Sequence, residues 1–455
     1  MKTNMTVGKE WKVILLFVLP IMAGNFLQQL YSIVDGIIVG NFVNERAFAA
    51  VATSMPLAMM YLALALGLSV GVGVTISQYY GAKREAELPI AIDTALILLG
   101  VCGLFFTIMG AIFSPVLLRN FLTVPDDIVH DSITYLRIFS FGLVFQFVYN
   151  GIAATLRAFG DAKAILYFLL IATILSTILT FVFVAIFPWG VAGAAFSTII
   201  AQAVCAIVSY MYLRKKFPFQ RANQHWDGVL AAKMIRLGLP IAIQMGVLSV
   251  GNGAMFRLVN SFEGTNPGII AAYGAAIRLD MLVFVPIQSF GMGLANFAGQ
   301  NIGAGRLDRV RRGLSSTILM SVSLVITLSI LLNIFAYQLI AFFGLTDASM
   351  SYGVEMIRFL TFFFWLFACN MTLNGLLQGA GDTVTASVGT MVALGTRVLI
   401  GYAVVHLGLL GYNAAWVSVP IGWVVASLLV FIRFFKGGWK KKAVAGALAM
   451  ETSHD

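Results

Sequence analysis

The chain turns apolar at about positions 13–39, 48–77, 89–112, 132–156, 163–187, 190–213, 234–262, 269–298, 314–339, 353–378, 384–407 and 411–435, with ends set to within a few residues. A helix needs about 20 apolar residues to cross a bilayer, whereas a barrel strand needs roughly 10. Backbone polar groups find no partner in hydrocarbon, so only helices and closed barrels can span it. Runs this long therefore predict an all-α polytopic membrane protein with 12 transmembrane helices. Composition agrees, since 60% of the 455 residues are hydrophobic and 11% charged, too little charge to cover a soluble globule of this size. A mean hydropathy of +0.92 leaves no room for a large soluble domain. The first run exceeds a signal-peptide core and no small-residue cleavage site follows it, which predicts a retained helix.

The connections carry turn residues, among them Gly160-Asp161, Pro188, Pro218, Pro267 and Gly381-Asp382. Lysine and arginine sort between alternate connections. One side holds Lys9, Lys12, Lys83, Arg84, Arg157, Lys163, Arg214 to Lys216, Lys233, Arg306, Arg309, Arg311, Arg312, Arg433 and Lys440 to Lys442, and the other only Arg46 and Arg119. The positive-inside rule makes the first side cytoplasmic, with both termini. The net charge of +10 would suggest nucleic acid in a soluble chain; here it reads as membrane orientation, and no nucleic-acid partner is expected. Five arginines fall within apolar runs. Arg137 and Arg358 suit snorkelling to the outer interface. Arg257, Arg278 and Arg397 either pair with an acid across the bundle or act as clamps. Asp280, two residues from Arg278, lies on a different helix face.

The chain repeats at about 220 residues. Leu19-Pro20-Ile21 returns as Leu239-Pro240-Ile241, Gln78 to Arg84 as Gln300 to Arg306, Leu136-Arg137 as Ile357-Arg358, and Gly160-Asp161 as Gly381-Asp382. The reading is an N-terminal six-helix lobe (1–213), a basic cytoplasmic linker (214–233), a C-terminal six-helix lobe (234–440) and a cytoplasmic tail (441–455). Parallel repeats of this kind are a transporter plan, with a site near mid-membrane and alternating access.

Enzymatic chemistry finds no foothold. His130, His225, His406 and His454 are scattered, and Cys102, Cys205 and Cys369 sit singly in apolar runs, without disulfide or metal-ligand spacing. No Walker loop is present, so no nucleotide cofactor is expected and an ion gradient or passive flow must supply the driving force.

Asp35 is the one charged residue between Lys12 and Glu45. A carboxylate at bilayer depth costs roughly 3 kcal/mol or more and normally faces a cavity, a partner or an ion path. The bland alternative is a hydrogen bond to a neighbouring helix. Gln28, Gln29, Tyr31 and Ser32 would give Asp35 a polar lining, and Pro20 and Gly36 would let the same helix bend.

Pro20 followed by Asp35-Gly36, the stretch Gly299 to Gly305, Leu156-Arg-Ala-Phe-Gly-Asp161 and Trp189-Gly-Val-Ala-Gly-Ala-Ala195 together resemble the multidrug and toxic compound extrusion (MATE) transporters, nearest the DinF-like bacterial branch. The resemblance covers essentially the whole chain. It implies two pseudo-symmetric six-helix lobes forming a V-shaped cavity, and export of amphipathic, usually cationic compounds in exchange for H⁺ or Na⁺. Asp35 stands where the family's first helix carries its coupling carboxylate, Pro20 where that helix kinks, and Asn150 and Thr198 at polar positions of the N-terminal site. Two positions depart: Ser176 and Thr180 replace the family's frequent Asn and Asp, and the acids another branch carries are absent from 248–253 and 365–371.

The leading reading is secondary efflux of small amphipathic molecules by a monomer in the bacterial inner membrane, with Asp35, Asn150, Ser176, Thr180 and Thr198 holding ion and substrate. The alternative is a flippase for lipid-linked oligosaccharide or another lipid precursor, with Arg257, Arg278 and Arg397 facing an anionic substrate.

Overall fold

A computed structural model describes residues 4–42, 45–121, 126–217 and 224–440; within helices, the side chains of 30–42, 45–49, 52, 121, 126 and 127 lie outside the described residues. The described backbone is helical throughout: α1 (Glu10–Phe42), α2 (Glu45–Gly81), α3 (Leu88–Val116), α4 (Asp126–Phe141), α5 (Leu143–Ala158), α6 (Ala162–Phe181), α7 (Gly190–Lys216), α8 (Gly228–Asn260), α9 (Ile269–Gly303), α10 (Leu307–Ile334), α11 (Ala336–Ala341), α12 (Asp347–Thr361), α13 (Phe364–Gly379), α14 (Thr383–His406) and α15 (Ala414–Phe435). Ten helices are long and apolar enough to span a membrane, and two bent pairs bring the number to 12. Their outer faces are apolar. On α3, Val101, Leu104, Phe105, Ile108 and Ile112 follow the 3.6-residue period and are each at least 50% exposed, a stripe suited to lipid.

The two bent pairs amend the expected single helices at 132–156 and 353–378. The chain turns by 45° between α4 and α5 and by 55° between α12 and α13. At the first bend the Gly142 N–H turns back to the Phe139 carbonyl (2.9 Å), and at the second Phe363 turns back to Leu360 (2.9 Å). Arg137 and Arg358, the matched arginines of the repeat, each precede their bend by about one turn of helix.

By internal contacts the chain forms two units: unit 1 is Leu19–Met245, and unit 2 joins Met5–Val18 to the chain from Gly246 onward. The division falls inside α1 and α8, so unit 2 contains the first nine residues of α1 and unit 1 the first eighteen of α8. The described residues on either side of 218–223, Arg214 to Phe217 and Gln224 to Lys233, group with unit 1.

In unit 1, α2 receives the first half of α8. A Cβ on Gly67 would overlap the Ala242 backbone, and one on Gly71 would overlap the Met234 carbonyl oxygen. Gly67-x-x-x-Gly71 and Gly238-x-x-x-Ala242 are two small-residue ridges, the pattern that lets membrane helices touch backbone to backbone. Arg214 (2.7 Å) and His225 (2.8 Å) close on the buried Asp93 of α3, and the Asp227 N–H donates to Thr94 (3.0 Å).

Unit 2 uses the same devices. On α13, Cβ atoms on Gly375 and Gly379 would overlap the Gly291 and Ala295 carbonyl oxygens of α9. Beside this contact Phe284, Phe367 and Trp423 form an aromatic core with ring centres 4.5 and 5.0 Å apart. The segment leading into α1 is pinned here. The Met5 N–H donates to Gln300 (3.0 Å), the Asn301 amide donates to the Met5 carbonyl (3.1 Å), and Glu10 takes Arg309 (3.2 Å) and Arg312 (2.9 Å).

The repeat also fixes two corners. Gly160 and Gly381 adopt left-handed φ angles of 77° and 79°. The aspartate after each is buried and holds a base from the helix after next: Asp161 takes Lys216 (2.5 Å), and Asp382 takes Arg433 (2.6 Å). A third matched pair is uneven. Gly305 has φ 69°, while its counterpart Lys83 holds φ 58° with a side chain attached.

Two stability outcomes follow, both read from melting of the detergent-solubilised protein. Lys83→Gly relieves left-handed strain at an exposed turn and raises stability by roughly 0.5–1 kcal/mol. Gly71→Ala forces α2 and α8 apart and lowers stability by about 1–3 kcal/mol, whereas Gly253→Ala, with nothing within 4 Å of its added Cβ, does not.

Candidate functional site

Unit 1 collects several of the expected polar residues on three helices. Thr180 on α6 is fully buried, and its hydroxyl lies 2.7 Å from that of Ser197 on α7. One turn of α7 anchors two hydroxyls, because Ser197 (2.7 Å) and Thr198 (3.1 Å) both donate to the Ala194 carbonyl. Ser176, one turn before Thr180, is buried on α6. Asn150 is buried on α5 and donates its amide to the Gln146 carbonyl (2.8 Å), which turns its own oxygen away from that bond. Each of these side chains is neutral and carries an oxygen, and the side-chain contact described between two of the helices is Thr180–Ser197. Such oxygens suit a hard cation such as Na⁺ and can accept from or donate to a drug.

Gln28 and Gln29 on α1 are exposed. Asp35, Tyr31, Ser32 and Gly36 belong to α1 by backbone, but their side chains lie outside the described residues. Pro20 stays within α1, one residue past the point where the chain passes from unit 2 to unit 1. Ser197 escaped the sequence reading: an isolated serine in an apolar run has no local signal, and its partner is 17 residues away across a turn.

Unit 2 separates the three arginines. Arg278 is exposed on α9 with its guanidinium 6.0 Å from the Phe343 ring centre, and Arg257 is exposed on α8. Arg397 on α14 points inward, donating to Tyr273 of α9 (3.3 Å) and Asn252 of α8 (3.4 Å). Asp280 is buried on α9, on the face away from Arg278, and lies within the electrostatic reach of Arg397. The start of α9 is fixed by Glu263, whose carboxylate accepts from the N–H groups of Gly268 (2.7 Å) and Ile270 (3.0 Å). Those two bonds, chiefly that from Ile270, hold the Glu263 carboxyl below its ordinary pKa, so this cap is complete at neutral pH and released on acidification. Farther along unit 2, Tyr337, Asp347, Ser351, Glu355 and Arg358 line an open pocket. Among the described residues no group of three or more His, Cys, Asp or Glu could hold a metal ion.

The fold is shared with known structures. A MATE crystal structure in a straight conformation superposes with a TM-score of 0.88 at 23% identity, over 97% of this chain and 99% of that one. A MOP-superfamily transporter of Pyrococcus furiosus, described as having a binding pocket of reverse polarity, superposes at 0.86 with 22% identity, over 98% of both chains. Among relatives by sequence, the probable multidrug resistance protein YpnP of Bacillus subtilis is 28% identical over 440 residues, covering 96% of this chain and 97% of its own. The probable multidrug resistance protein NorM of Thermotoga maritima is 24% identical over 95% of this chain and 94% of its own. Twelve spans in two related halves define a multi-pass membrane transporter rather than an enzyme. The MatE family model matches residues 20–182 and 240–403, once in each half, and the chain belongs to that family.

Thr180→Val keeps the shape of the side chain and removes the α6–α7 hydroxyl contact. A loss of about 1 kcal/mol is expected in the melting of the purified protein, while Thr180→Ser retains wild-type stability to within a few tenths.

Proposed function

We propose that the protein is a secondary active efflux antiporter that exports amphipathic, mainly cationic compounds in exchange for H⁺ or Na⁺. The observation that carries this reading is Asp35: it is the one charge between Lys12 and Glu45, on a helix whose unit otherwise offers the neutral oxygens of Asn150, Ser176, Thr180 and Thr198. A single carboxylate can neutralise an inorganic cation or a cationic drug but not both at once, and mutual exclusion at one charge is antiport. The names of the sequence relatives, probable multidrug resistance proteins, support the substrate class. Basic residues crowd one set of connections, which supports cytoplasmic termini in a bacterial inner membrane. The protein works as a monomer, each chain carrying its own site.

An anionic, lipid-linked substrate is the second reading. It would use arginines converging in unit 2. Arg397 faces inward as that reading needs, while Arg278 rests against Phe343 instead.

Cells expressing the protein should accumulate several-fold less ethidium than control cells, and Asp35→Asn at matched abundance should abolish the difference. Selective collapse of the proton or the sodium gradient then identifies the ion. Equal accumulation with and without the protein would defeat the cation-efflux reading.

A further inference from the structure

Four aspartates are buried among the described residues: Asp93, Asp161, Asp280 and Asp382. Three hold a basic partner at 2.5–2.8 Å, near a helix end. Asp280 does not. It is 7% exposed, one of its carboxylate oxygens, Oδ1, has no hydrogen-bond partner, and no base lies within 4 Å of it among the described residues. It stands six residues from the middle of α9, about 9 Å along the axis, well inside a hydrocarbon layer roughly 30 Å thick. Arg397 stands still nearer the middle of α14, about 4 Å from it.

The surroundings are specific. Tyr273, which accepts from Arg397 at 3.3 Å, lies seven residues before Asp280 on α9, two turns along the same helix face. Asn252 and Tyr273 hold the two terminal nitrogens of Arg397, while its buried Nε has no partner. A carboxylate and a guanidinium that serve only to lock a fold meet in a short, often two-pronged ion pair, as Arg433 and Asp382 do on a single contact of 2.6 Å. Here Arg397 reaches the face of α9 that carries Asp280 without pairing with it: each has an unpartnered atom, and Arg397 is tied to neutral groups. The charged residues of the helices packed on α9 are Asp308, Arg309, Arg311 and Arg312 in the first turns of α10 and Asp347, Glu355 and Arg358 of α12. Arg309 and Arg312 of α10 are engaged with Glu10, Asp347, Glu355 and Arg358 of α12 line the separate open pocket with Tyr337 of α11, and Cys369 is the titratable group of α13.

We propose that Asp280 is a second proton-exchange site, located in unit 2, with Arg397 as its fixed counter-charge. The unprotonated pair has zero net charge. Taking one proton from water onto the carboxylate leaves Arg397 alone and the pocket at plus one, and releasing the proton to water restores neutrality. The cycle needs no other reactant. A cationic compound would then be tolerated beside unit 2 when Asp280 is ionised and repelled when it is protonated; that last link rests on the efflux reading, whereas the proton exchange itself does not.

The test is infrared spectroscopy of the full-length protein in lipid, following the stretching band of protonated carboxyl groups as buffer is changed from acid to alkaline. Wild type should show a pH-dependent component that is lost in Asp280→Asn and retained in Asp35→Asn. Arg397→Gln removes the positive charge that favours the carboxylate, so the same component should persist into more alkaline buffer than in wild type. A spectrum of Asp280→Asn identical to wild type at every pH overturns the proposal. Should that variant fail to fold, an unshifted component in Arg397→Gln overturns it equally. Ethidium transport plays no part in this measurement, so a protein that pumps no drug can still pass it, and one that pumps well can still fail.

Discussion

Helices in lipid gain nothing by hiding apolar surface from one another, because the solvent is as apolar as they are. What holds this chain together is close approach, and close approach requires positions with no side chain. The α2–α8 contact at Gly67, Gly71 and Gly238 and the α9–α13 contact at Gly291, Gly375 and Gly379 bring backbone against backbone. Large apolar residues do the opposite task on the outward faces, as the α3 stripe from Val101 to Ile112 shows.

Charge follows a second logic. The acids that stabilise the fold are kept near helix ends and paired: Asp93 with Arg214 and His225, Asp161 with Lys216, Asp382 with Arg433, Glu10 with Arg309 and Arg312. Breaking such a pair would strand a desolvated ion, so these positions are static by construction. Asp35 and Asp280 lie within long apolar runs, Asp35 seven residues before the end of α1 and Asp280 eleven after the start of α9, one in each repeat. Neutral oxygens in unit 1 and a single guanidinium in unit 2 give the two halves different electrostatic characters on one backbone plan.

Much of this was readable in the sequence because it is local or periodic. Apolar run length marked the spans, and the matched Gly-Asp pairs marked two breaks, which the structure shows as left-handed glycines followed by buried, paired aspartates. The bends at Gly142 and at Phe362-Phe363 were not legible, since apolar periodicity runs straight through them. Nor was the exchange of half-helices: nothing in the composition of Met5–Val18 says that its partners are Gln300, Asn301 and Arg309. The Thr180–Ser197 contact and the contact of Arg397 with Tyr273 depend on which helix faces meet, which spacing within one helix does not tell.

The exchange of half-helices has a consequence for biosynthesis. The acceptor of the Met5 amide, on Gln300, is made 295 residues after it. At about 5–20 residues per second, the opening segment waits roughly 15–60 s before its binding site exists. Unit 1 suffers the converse delay, staying open along α2 until the start of the second repeat has been synthesised. Neither repeat can therefore mature as a self-contained block: each waits on residues that the other supplies.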